Sequence, residues 1–179
     1  MKRLLKTSAI ALCVFLAACA SNVKRTEVTG AEQLTPTAKC KNVSITLNDE
    51  AKKKLSDNLK FNAETLRGTV QRALEAQDLI QKTPDQAAYG IEIVITDVRV
   101  RSNFTAIMFG FMAGADSVTG DVQVKDASGK LLKKFEVSAS YALGGIGGGQ
   151  DEARMGWLYE KFTEQTLNEL RTSQGKNAM

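Results

Sequence analysis

The 179-residue chain contains no histidine, which removes the commonest general base and the commonest metal ligand of proteins. Ser138 and Ser140 therefore have no imidazole to activate them, and the aspartates show no pairing that the sequence reveals. Carboxylates could still bind a metal ion, but no loop has the spacing of an EF-hand. We expect a protein that is not an enzyme and that carries no metal and no cofactor.

The apolar run at the N-terminus, residues 9–16, is too short to span a bilayer, which takes about 20 residues. It follows three basic residues, Lys2, Arg3 and Lys6, and it leads into small residues. A basic start, a short apolar run and small residues form the pattern of a secretory signal peptide. The pattern predicts a signal peptide over residues 1–18 rather than a membrane anchor.

In Leu16-Ala17-Ala18-Cys19 small residues precede the cleavage point and a cysteine follows it, and here the chain resembles a bacterial lipoprotein. The resemblance implies cleavage after Ala18, a diacylglyceryl group on the sulfur of Cys19, and a fatty acyl group such as palmitate on the new N-terminus. Several acyl chains give stable anchoring without a transmembrane helix. Because Ala20 and not aspartate follows Cys19, the resemblance favours the periplasmic side of the outer membrane over the inner membrane. The alternative is that Cys19 is an ordinary small residue at a generic cleavage site.

The chain has almost no net charge without its predicted signal peptide. It has 24 basic and 20 acidic residues, and loss of Lys2, Arg3 and Lys6 leaves 21 basic against 20 acidic. The excess of positive charge in the full chain is therefore largely that of the signal peptide, and it does not indicate nucleic-acid binding.

Of the three cysteines, Cys13 lies in the predicted signal peptide and Cys19 at the predicted lipidation site. Cys40 remains alone and cannot form a disulfide within the domain. We interpret Cys40 as a small, partly buried residue at the start of a strand. A mixed disulfide with a partner is the alternative.

The first half of the domain shows one strand followed by helical periodicity. Residues 43–47 alternate between apolar and polar, which predicts a short strand, and Asn48 then offers an N-cap. Apolar residues at spacings of three and four predict one long amphipathic helix that ends before Pro84. Asn62 could cap a second segment, so that two helices with a break near Phe61 are the alternative.

The second half is rich in strands. Residues 89–101 form the strongest predicted strand, and its apolar phase switches in a way that a bulge, or burial of both faces, near Val94 would explain. The next two strands form a predicted hairpin around residues 126–129, and a final amphipathic helix follows. The order β-α-β-β-β-α predicts an α+β fold with a mostly antiparallel sheet and helices packed on one face.

These patterns divide the chain into four parts. We predict a signal peptide over 1–18, the lipidated cysteine and a flexible tether over 19–39, a single α+β domain over 40–173 and a frayed tail over 174–179.

An uncharged segment, residues 104–113, joins two predicted strands. It is too short to cross a bilayer as a helix. It is either a strand extension or loop folded onto the core, or an exposed apolar surface that contacts a partner or a membrane. We take it as the candidate interaction surface. Its members are Phe104, Ile107, Met108, Phe109, Phe111 and Met112.

A run rich in glycine, residues 144–149, precedes the final helix. It lacks the Lys-Ser/Thr pair of a P-loop and the spacing of a dinucleotide-binding fold. Asp151 and Glu152 already occupy the positive end of the helix, where they would repel a phosphate. We expect no nucleotide there, and we interpret the run as a hinge or tight connection.

Several motifs between Ile91 and Leu170 resemble a family of bacterial lipoproteins. They are Val98-Arg99-Val100-Arg101, the apolar stretch that ends in residues 110–116, the hairpin residues 122–131, and the glycine run. The chain is similar here to the family catalogued as domain of unknown function 4410. The resemblance implies a periplasmic α+β lipoprotein domain with no established activity or catalytic residues. Asp116 departs from it, because a less acidic residue is expected there.

Together these features favour a non-enzymatic outer-membrane lipoprotein, a binding or accessory module with a protein partner in the cell envelope. The alternative is a subunit of an oligomeric envelope channel or secretion apparatus. Membrane-spanning strands need about 9–11 residues each, and residues 102–116 could supply at most a short pair. A carrier of a small ligand or lipid is a third hypothesis, which requires an apolar cavity.

Overall fold

The computed structural model of the chain describes residues 19–28, 34, 37–56, 60–84, 88–102, 114–142 and 150–175. These residues form five strands and three helices. In chain order they are β1 (Cys19–Thr26), β2 (Lys39–Leu47), α1 (Asp49–Leu55), α2 (Ala63–Ala76), β3 (Ala88–Arg99), β4 (Asp116–Asp126), β5 (Leu131–Tyr141) and α3 (Asp151–Gly175). The predicted signal peptide lies outside the described residues.

The strands form one sheet in the order β1-β5-β4-β3-β2. β2 and β3 are parallel, and the other three pairs are antiparallel. A parallel pair needs a crossover connection, which α1 and α2 supply between β2 and β3. The predicted α+β fold with a mostly antiparallel sheet is confirmed.

The core lies between one face of the sheet and the helices. Burial alternates along β3, β4 and β5, and the buried positions lie on the sheet face that the helices cover, where α1 contacts β3, α2 contacts β2, and α3 contacts β4 and β5. The other positions, such as Glu92, Gln123 and Ser138, are polar and partly exposed. Large fully buried members of the core include Leu66 of α2, Ile91 and Ile93 of β3, Phe135 of β5 and Phe162 of α3. One sheet face is therefore packed and the other solvated.

The strand β1 replaces part of the predicted flexible tether. Residues 19–26 pair with β5 along the strand's whole length, from Cys19 opposite Tyr141 to Thr26 opposite Lys134. Val23 packs against the core, and Arg25 forms two hydrogen bonds with the buried Glu169 of α3. The polar composition of residues 20–26 conceals the strand, because an edge strand buries few side chains and is stabilised mainly by backbone pairing.

The helical segment breaks where Asn62 suggested. Asn48 caps α1 by accepting from the N–H of Ala51 at 2.8 Å, and Asn62 caps α2 by accepting from the N–H of Thr65 at 2.9 Å. The N–H of Asn62 itself donates to the hydroxyl of Tyr159 at 2.7 Å. The hypothesis of two helices is therefore correct, and α3 fixes the start of the second.

The phase switch in β3 is a bulge. Ile95 pairs with Gly120 and Asp97 pairs with Thr119, so that Thr96 is an extra residue in β3. Both Ile95 and Val98 consequently face the core although they are three residues apart. Of the two explanations that the sequence allowed, the bulge is confirmed, two residues beyond Val94.

The predicted hairpin is present as β4 and β5. Its turn has Gly129 at a φ of 87°, a left-handed conformation that glycine adopts without strain. The carboxylate of Asp126 accepts from the N–H groups of Ser128 at 2.8 Å and Lys130 at 3.0 Å. These side-chain bonds fix the turn and with it the register of the hairpin.

The final helix, α3, runs to Gly175, beyond the predicted domain end at residue 173. The predicted frayed tail is thus helical at residues 174 and 175, and residues 176–179 lie outside the described residues. Along its length α3 lies close to the sheet at Gly120, where a Cβ atom would come within 3.2 Å of Cζ of Phe162. Glycine at this position permits the close approach of helix and sheet.

Candidate functional site

Four strand ends meet at one end of the sheet, which we call the Cys19 end. Cys19 of β1 pairs with Tyr141 of β5, which pairs on its other side with Asp116 of β4. Next to them, Arg99 at the end of β3 pairs with Ser117. The predicted lipidation site is therefore at the same end of the sheet as the flanks of two long connections.

A buried carboxylate lies at the centre of the Cys19 end. Asp116 accepts from the main-chain N–H of Arg101 at 2.6 Å and from Nη2 of Arg101 at 3.0 Å. Nε of Arg154, on α3, lies 3.4 Å from Oδ2 of the same carboxylate. All three residues are at most 5% exposed. Such a carboxylate needs its cations, because an unpaired charge in the interior is strongly destabilising.

Arg101 connects the flanks of the two connections. Its Nη1 donates to the carbonyl oxygen of Gly114 at 2.8 Å and to that of Ala142 at 3.4 Å. Its Nη2 donates to the carbonyl oxygen of Tyr141 at 3.2 Å. One guanidinium thus joins the chain on either side of residues 103–113 to the chain before residues 143–149.

The ion pairs continue onto the helices. Arg154 donates to the carbonyl oxygen of Arg101 at 3.2 Å and to Oδ1 of Asp151. Nζ of Lys60 lies 2.6 Å from Oδ2 of Asp151. We call the buried Arg101, Asp116 and Arg154, together with the partly exposed Lys60 and Asp151 at their edge, the buried charge cluster. Its three cations and two carboxylates alternate, so that the cluster connects the end of β3, the start of β4, the start of α3 and the chain before α2.

Sequence reasoning did not find the buried charge cluster, although Asp116 carried a signal. The residue is in phase with Val118 and Val122, whose side chains are buried, so that its carboxylate also had to be buried. A buried carboxylate implies a nearby cation, and Arg101 lies in one of the recognised motifs. The acidic residue that departs from the family resemblance is the centre of this cluster.

An aromatic pair lies beside the predicted lipidation site. The rings of Tyr141 and Trp157 are 5.0 Å apart between centroids and inclined by 51°. Tyr141 is the pairing partner of Cys19, and Trp157 lies on the first half of α3, partly buried against the core. Tyrosine and tryptophan combine an apolar ring with a polar group, which suits a boundary between protein, water and lipid.

A groove of about 460 Å³ lies between the start of α2 and the start of α3. It is lined by Lys60, Asn62, Thr65, Asp151, Glu152, Met155, Gly156 and Tyr159. Two pairs of these residues already bind each other, Lys60 with Asp151 and Asn62 with Tyr159. Its lining combines charged side chains at the rim with Met155 and Tyr159.

The remaining predicted site residues lie outside the part of the chain that the structure describes. The six residues of the candidate interaction surface, Phe104, Ile107, Met108, Phe109, Phe111 and Met112, lie outside the described residues, as does the glycine run 144–149. Their flanks, Ser102, Gly114, Ala142 and Gln150, are described. The assignment of residues 104–113 as an interaction surface stays a prediction.

Cys40 is a buried residue of β2. Its side chain is fully buried, and Sγ donates to the carbonyl oxygen of Asn42 at 3.4 Å. Burial raises the pKa of the Cys40 thiol to about 12, although the hydrogen bond from Sγ to Asn42 opposes this shift. A thiol that stays protonated and inaccessible is a poor nucleophile. The interpretation of Cys40 as a small residue at the start of a strand is confirmed, but its burial is complete and not partial.

The described residues contain no group of three or more cysteine, aspartate, glutamate or histidine side chains that could hold a metal ion. Within the same residues, no helix is both long enough and apolar enough to cross a membrane.

The family model of a domain of unknown function, DUF4410, matches residues 22–145. The chain belongs to this family. The match confirms the family that the sequence motifs indicated, but with a different extent: it begins within β1 and ends before α3, whereas the motifs ran from Ile91 to Leu170. Because residues 22–26 belong to the match, β1 is part of the family domain.

Solved structures similar to the chain include two PelC dodecamers from Paraburkholderia phytofirmans, which are 14% and 12% identical with a TM-score of 0.44 each. Each alignment covers 80% of this chain and 98% of PelC. A minor lipoprotein from Acinetobacter baumannii is 12% identical with a TM-score of 0.41, over 76% of this chain and 92% of that one. No curated protein matches this chain. These identities are too low to transfer a role.

Proposed function

We propose that this DUF4410 protein is a lipoprotein of the bacterial outer membrane, anchored on the periplasmic side through Cys19, and that it is a non-enzymatic binding or accessory module of the envelope. The observation that carries the proposal is the position of Cys19. The cysteine that follows the predicted cleavage site is a residue of β1 and pairs with Tyr141, and cleavage after Ala18 would leave the whole family match, residues 22–145, in the mature chain.

Two further features support the proposal. The whole chain lacks histidine, which disfavours the commonest acid–base and nucleophilic mechanisms. The charged groups at the Cys19 end pair with one another in the buried charge cluster, which suits a scaffold that holds connecting segments in place. A scaffold with two long connections at one end is typical of a binding domain, because loops on a rigid framework commonly carry function.

Lipidation is tested by expressing the chain in a diderm bacterium with an alkyne analogue of palmitate, followed by mass spectrometry of the mature N-terminal peptide. The wild-type chain is expected to begin at Cys19 and to carry the acyl groups. Cys19→Ser should abolish labelling, whereas Cys13→Ser and Cys40→Ser should be labelled normally. An unmodified Cys19, or cleavage elsewhere, would refute the anchor.

The membrane is identified by separating inner and outer membranes on a density gradient. The wild-type lipoprotein is expected with the outer membrane because Ala20 follows the lipidated cysteine. Ala20→Asp should move it to the inner membrane without loss of lipid labelling. Wild-type protein in the inner membrane would contradict the proposed outer-membrane location but not the proposed lipidation of Cys19.

The binding role is tested with a photocrosslinking amino acid at Phe109 or Phe111, and at Lys130 in the β4–β5 turn as a control at the opposite end of the sheet. We expect a discrete protein adduct from positions 109 and 111 that position 130 does not give. Adducts between copies of the chain would instead support the oligomeric alternative. Absence of any adduct would refute the assignment of residues 104–113 as a contact surface.

A further inference from the structure

The register of β1 determines how far the domain can stand from the lipid. In the proposed mature protein the acyl groups are attached to residue 19, and residue 19 is already paired with Tyr141. No flexible residue separates the anchor from the sheet. Neighbouring strands are about 4.8 Å apart, so that the backbone of Tyr141 lies within one strand spacing of the residue that enters the leaflet.

Contacts along β1 prevent the strand from acting as a tether. All eight of its residues pair with β5, and Val23 packs against the core. Near the far end of β1, Arg25 donates from Nε and Nη2 to the two carboxylate oxygens of Glu169, at 2.8 and 2.9 Å. Lys133 of β5 donates to the same carboxylate at 2.7 Å. The strand is thus held by the sheet and by α3.

The residues beside the anchor suit a lipid interface. Trp157 lies against Tyr141 with ring centroids 5.0 Å apart; Trp157 is only partly buried, whereas Tyr141 is 9% exposed and belongs to the core. The headgroup layer of a leaflet is roughly 5–8 Å thick, which reaches from the level of residue 19 to this pair. Tryptophan and tyrosine are enriched at this depth in membrane proteins because their rings are amphipathic.

The charges at this end do not oppose such contact. Asp116, Arg101 and Arg154 are buried and pair with one another. Among exposed residues, Arg99 at the end of β3 and Glu152 at the start of α3 carry opposite charges. With Lys60 and Asp151 counted, the described residues of the Cys19 end carry four positive and three negative charges, a near balance that would not repel a largely zwitterionic leaflet.

We infer that the domain lies directly on the periplasmic leaflet with the Cys19 end of the sheet against the headgroups, and that the partly exposed Trp157, packed on the buried Tyr141, forms its interfacial contact. This inference rests on the proposed lipidation of Cys19. It implies that the flanks of residues 103–113 and 143–149 also face the membrane, while the β4–β5 turn points into the periplasm.

The chain offers a direct reporter, because Trp157 is its one tryptophan. The purified mature lipoprotein is reconstituted into vesicles of phosphatidylethanolamine and phosphatidylglycerol that contain phospholipid brominated near the acyl carbonyl. Bromine quenches only fluorophores that approach it closely. We expect Trp157 emission to fall relative to vesicles of the same composition without bromine.

Two control variants separate docking from mere proximity to a vesicle. In Trp157→Phe/Lys130→Trp the fluorophore moves to the exposed β4–β5 turn, about 30 Å away along the 11 residues of β4, and its emission should be unaffected by bromine. In the second variant a flexible Gly-Ser spacer stands between Cys19 and Ala20, and the quenching of Trp157 should be lost although the protein is still lipidated. Circular dichroism verifies that both variants fold.

The outcomes distinguish the two proposals. Mass spectrometry that finds Cys19 unmodified overturns the proposed anchor and the docking with it. A lipidated protein whose Trp157 is not quenched, or is quenched equally with the spacer, overturns the docking alone. A blue shift of Trp157 emission without quenching would show that Trp157 enters a less polar environment that is not the lipid, and this result would also overturn the docking.

Discussion

Asp116 accepts hydrogen bonds from both the main-chain N–H and the guanidinium of Arg101, so that a single carboxylate joins the end of β3 to the start of β4. The N···Oδ1 distance is 2.6 Å and the Nη2···Oδ2 distance is 3.0 Å, with both side chains at most 3% exposed. The same guanidinium reaches carbonyl oxygens next to the β5–α3 connection. The two long connections at the Cys19 end are therefore fixed at their bases by one ion pair.

Replacement of Asp116 tests whether this pair stabilises the fold. Asp116→Asn leaves Arg101 and Arg154 buried without their shared counter-charge, and we expect a loss of about 3–5 kcal/mol in the free energy of unfolding. Urea unfolding of the unlipidated wild-type and variant domains, monitored by circular dichroism, measures this loss of stability.

The matched control lies on the same strand. Asp121 faces the solvated side of β4 and is 3.4 Å from Lys134, with both side chains about one third exposed. Asp121→Asn should cost no more than about 1 kcal/mol. Equal losses in the two variants would contradict a special role for the buried pair.

The packing of α3 on the sheet depends on Gly120. A Cβ atom there would lie 3.1 Å from Cδ1 of Ile95, 3.2 Å from Cζ of Phe162 and 3.3 Å from the carbonyl oxygen of Val94. The side chains can shift, but the carbonyl belongs to the β3 backbone. We expect Gly120→Ala to lower the free energy of unfolding by about 1–3 kcal/mol.

Gly156 provides the opposite case within α3. A Cβ atom there meets nothing within 4 Å. Gly156→Ala should raise stability by about 0.5–1 kcal/mol, since alanine favours a helix over glycine by this amount. Thermal unfolding of both variants gives the comparison, and a stabilising Gly120→Ala would show that α3 does not pack closely there.

Periodicity was sufficient to predict the elements that bury a face. The strands β2 to β5 alternate between apolar and polar residues, and the bulge in β3 shifts the phase of this alternation. Asn48 and Asn62 mark the starts of the helices because asparagine is a favoured N-cap. β1 leaves almost no such pattern. Among its described side chains only Val23 packs against the core, and backbone pairing with β5 holds the rest of the strand. The buried charge cluster was missed for a related reason: its members are far apart in sequence and meet only when β3, β4 and α3 pack.

The thiol of Cys40 should be unreactive in the folded protein. Burial raises its pKa to about 12, and its Sγ lies in the core of β2. In the mature-length Cys19→Ser chain, Cys40 is the one remaining thiol. We expect iodoacetamide to modify it very slowly in buffer and rapidly in guanidinium chloride. Rapid modification of the folded protein would revive the mixed-disulfide alternative.

Glu169 links β1 to α3, and its protonation should loosen that link. Burial by itself raises the pKa of Glu169, but hydrogen bonds from Arg25 and Lys133, together with their charges, outweigh burial and lower it. Because the folded pKa is below that of the unfolded chain, about 4.3, the carboxylate stabilises the fold at higher pH. This contribution declines as the pH falls below about 4 and is lost below the folded pKa.

Glu169→Gln should therefore lower the free energy of unfolding at neutral pH by about 1–3 kcal/mol, and the difference from wild type should shrink as the pH falls below about 4. Glu136→Gln is the control, since Glu136 of β5 pairs with the exposed Lys24 of β1. It should change stability little at any pH. Amide hydrogen exchange of residues 19–26 should accelerate in Glu169→Gln and not in the control. If the two variants exchange alike, Glu169 does not hold β1, and the rigid connection between anchor and domain would have to come from backbone pairing with β5 alone.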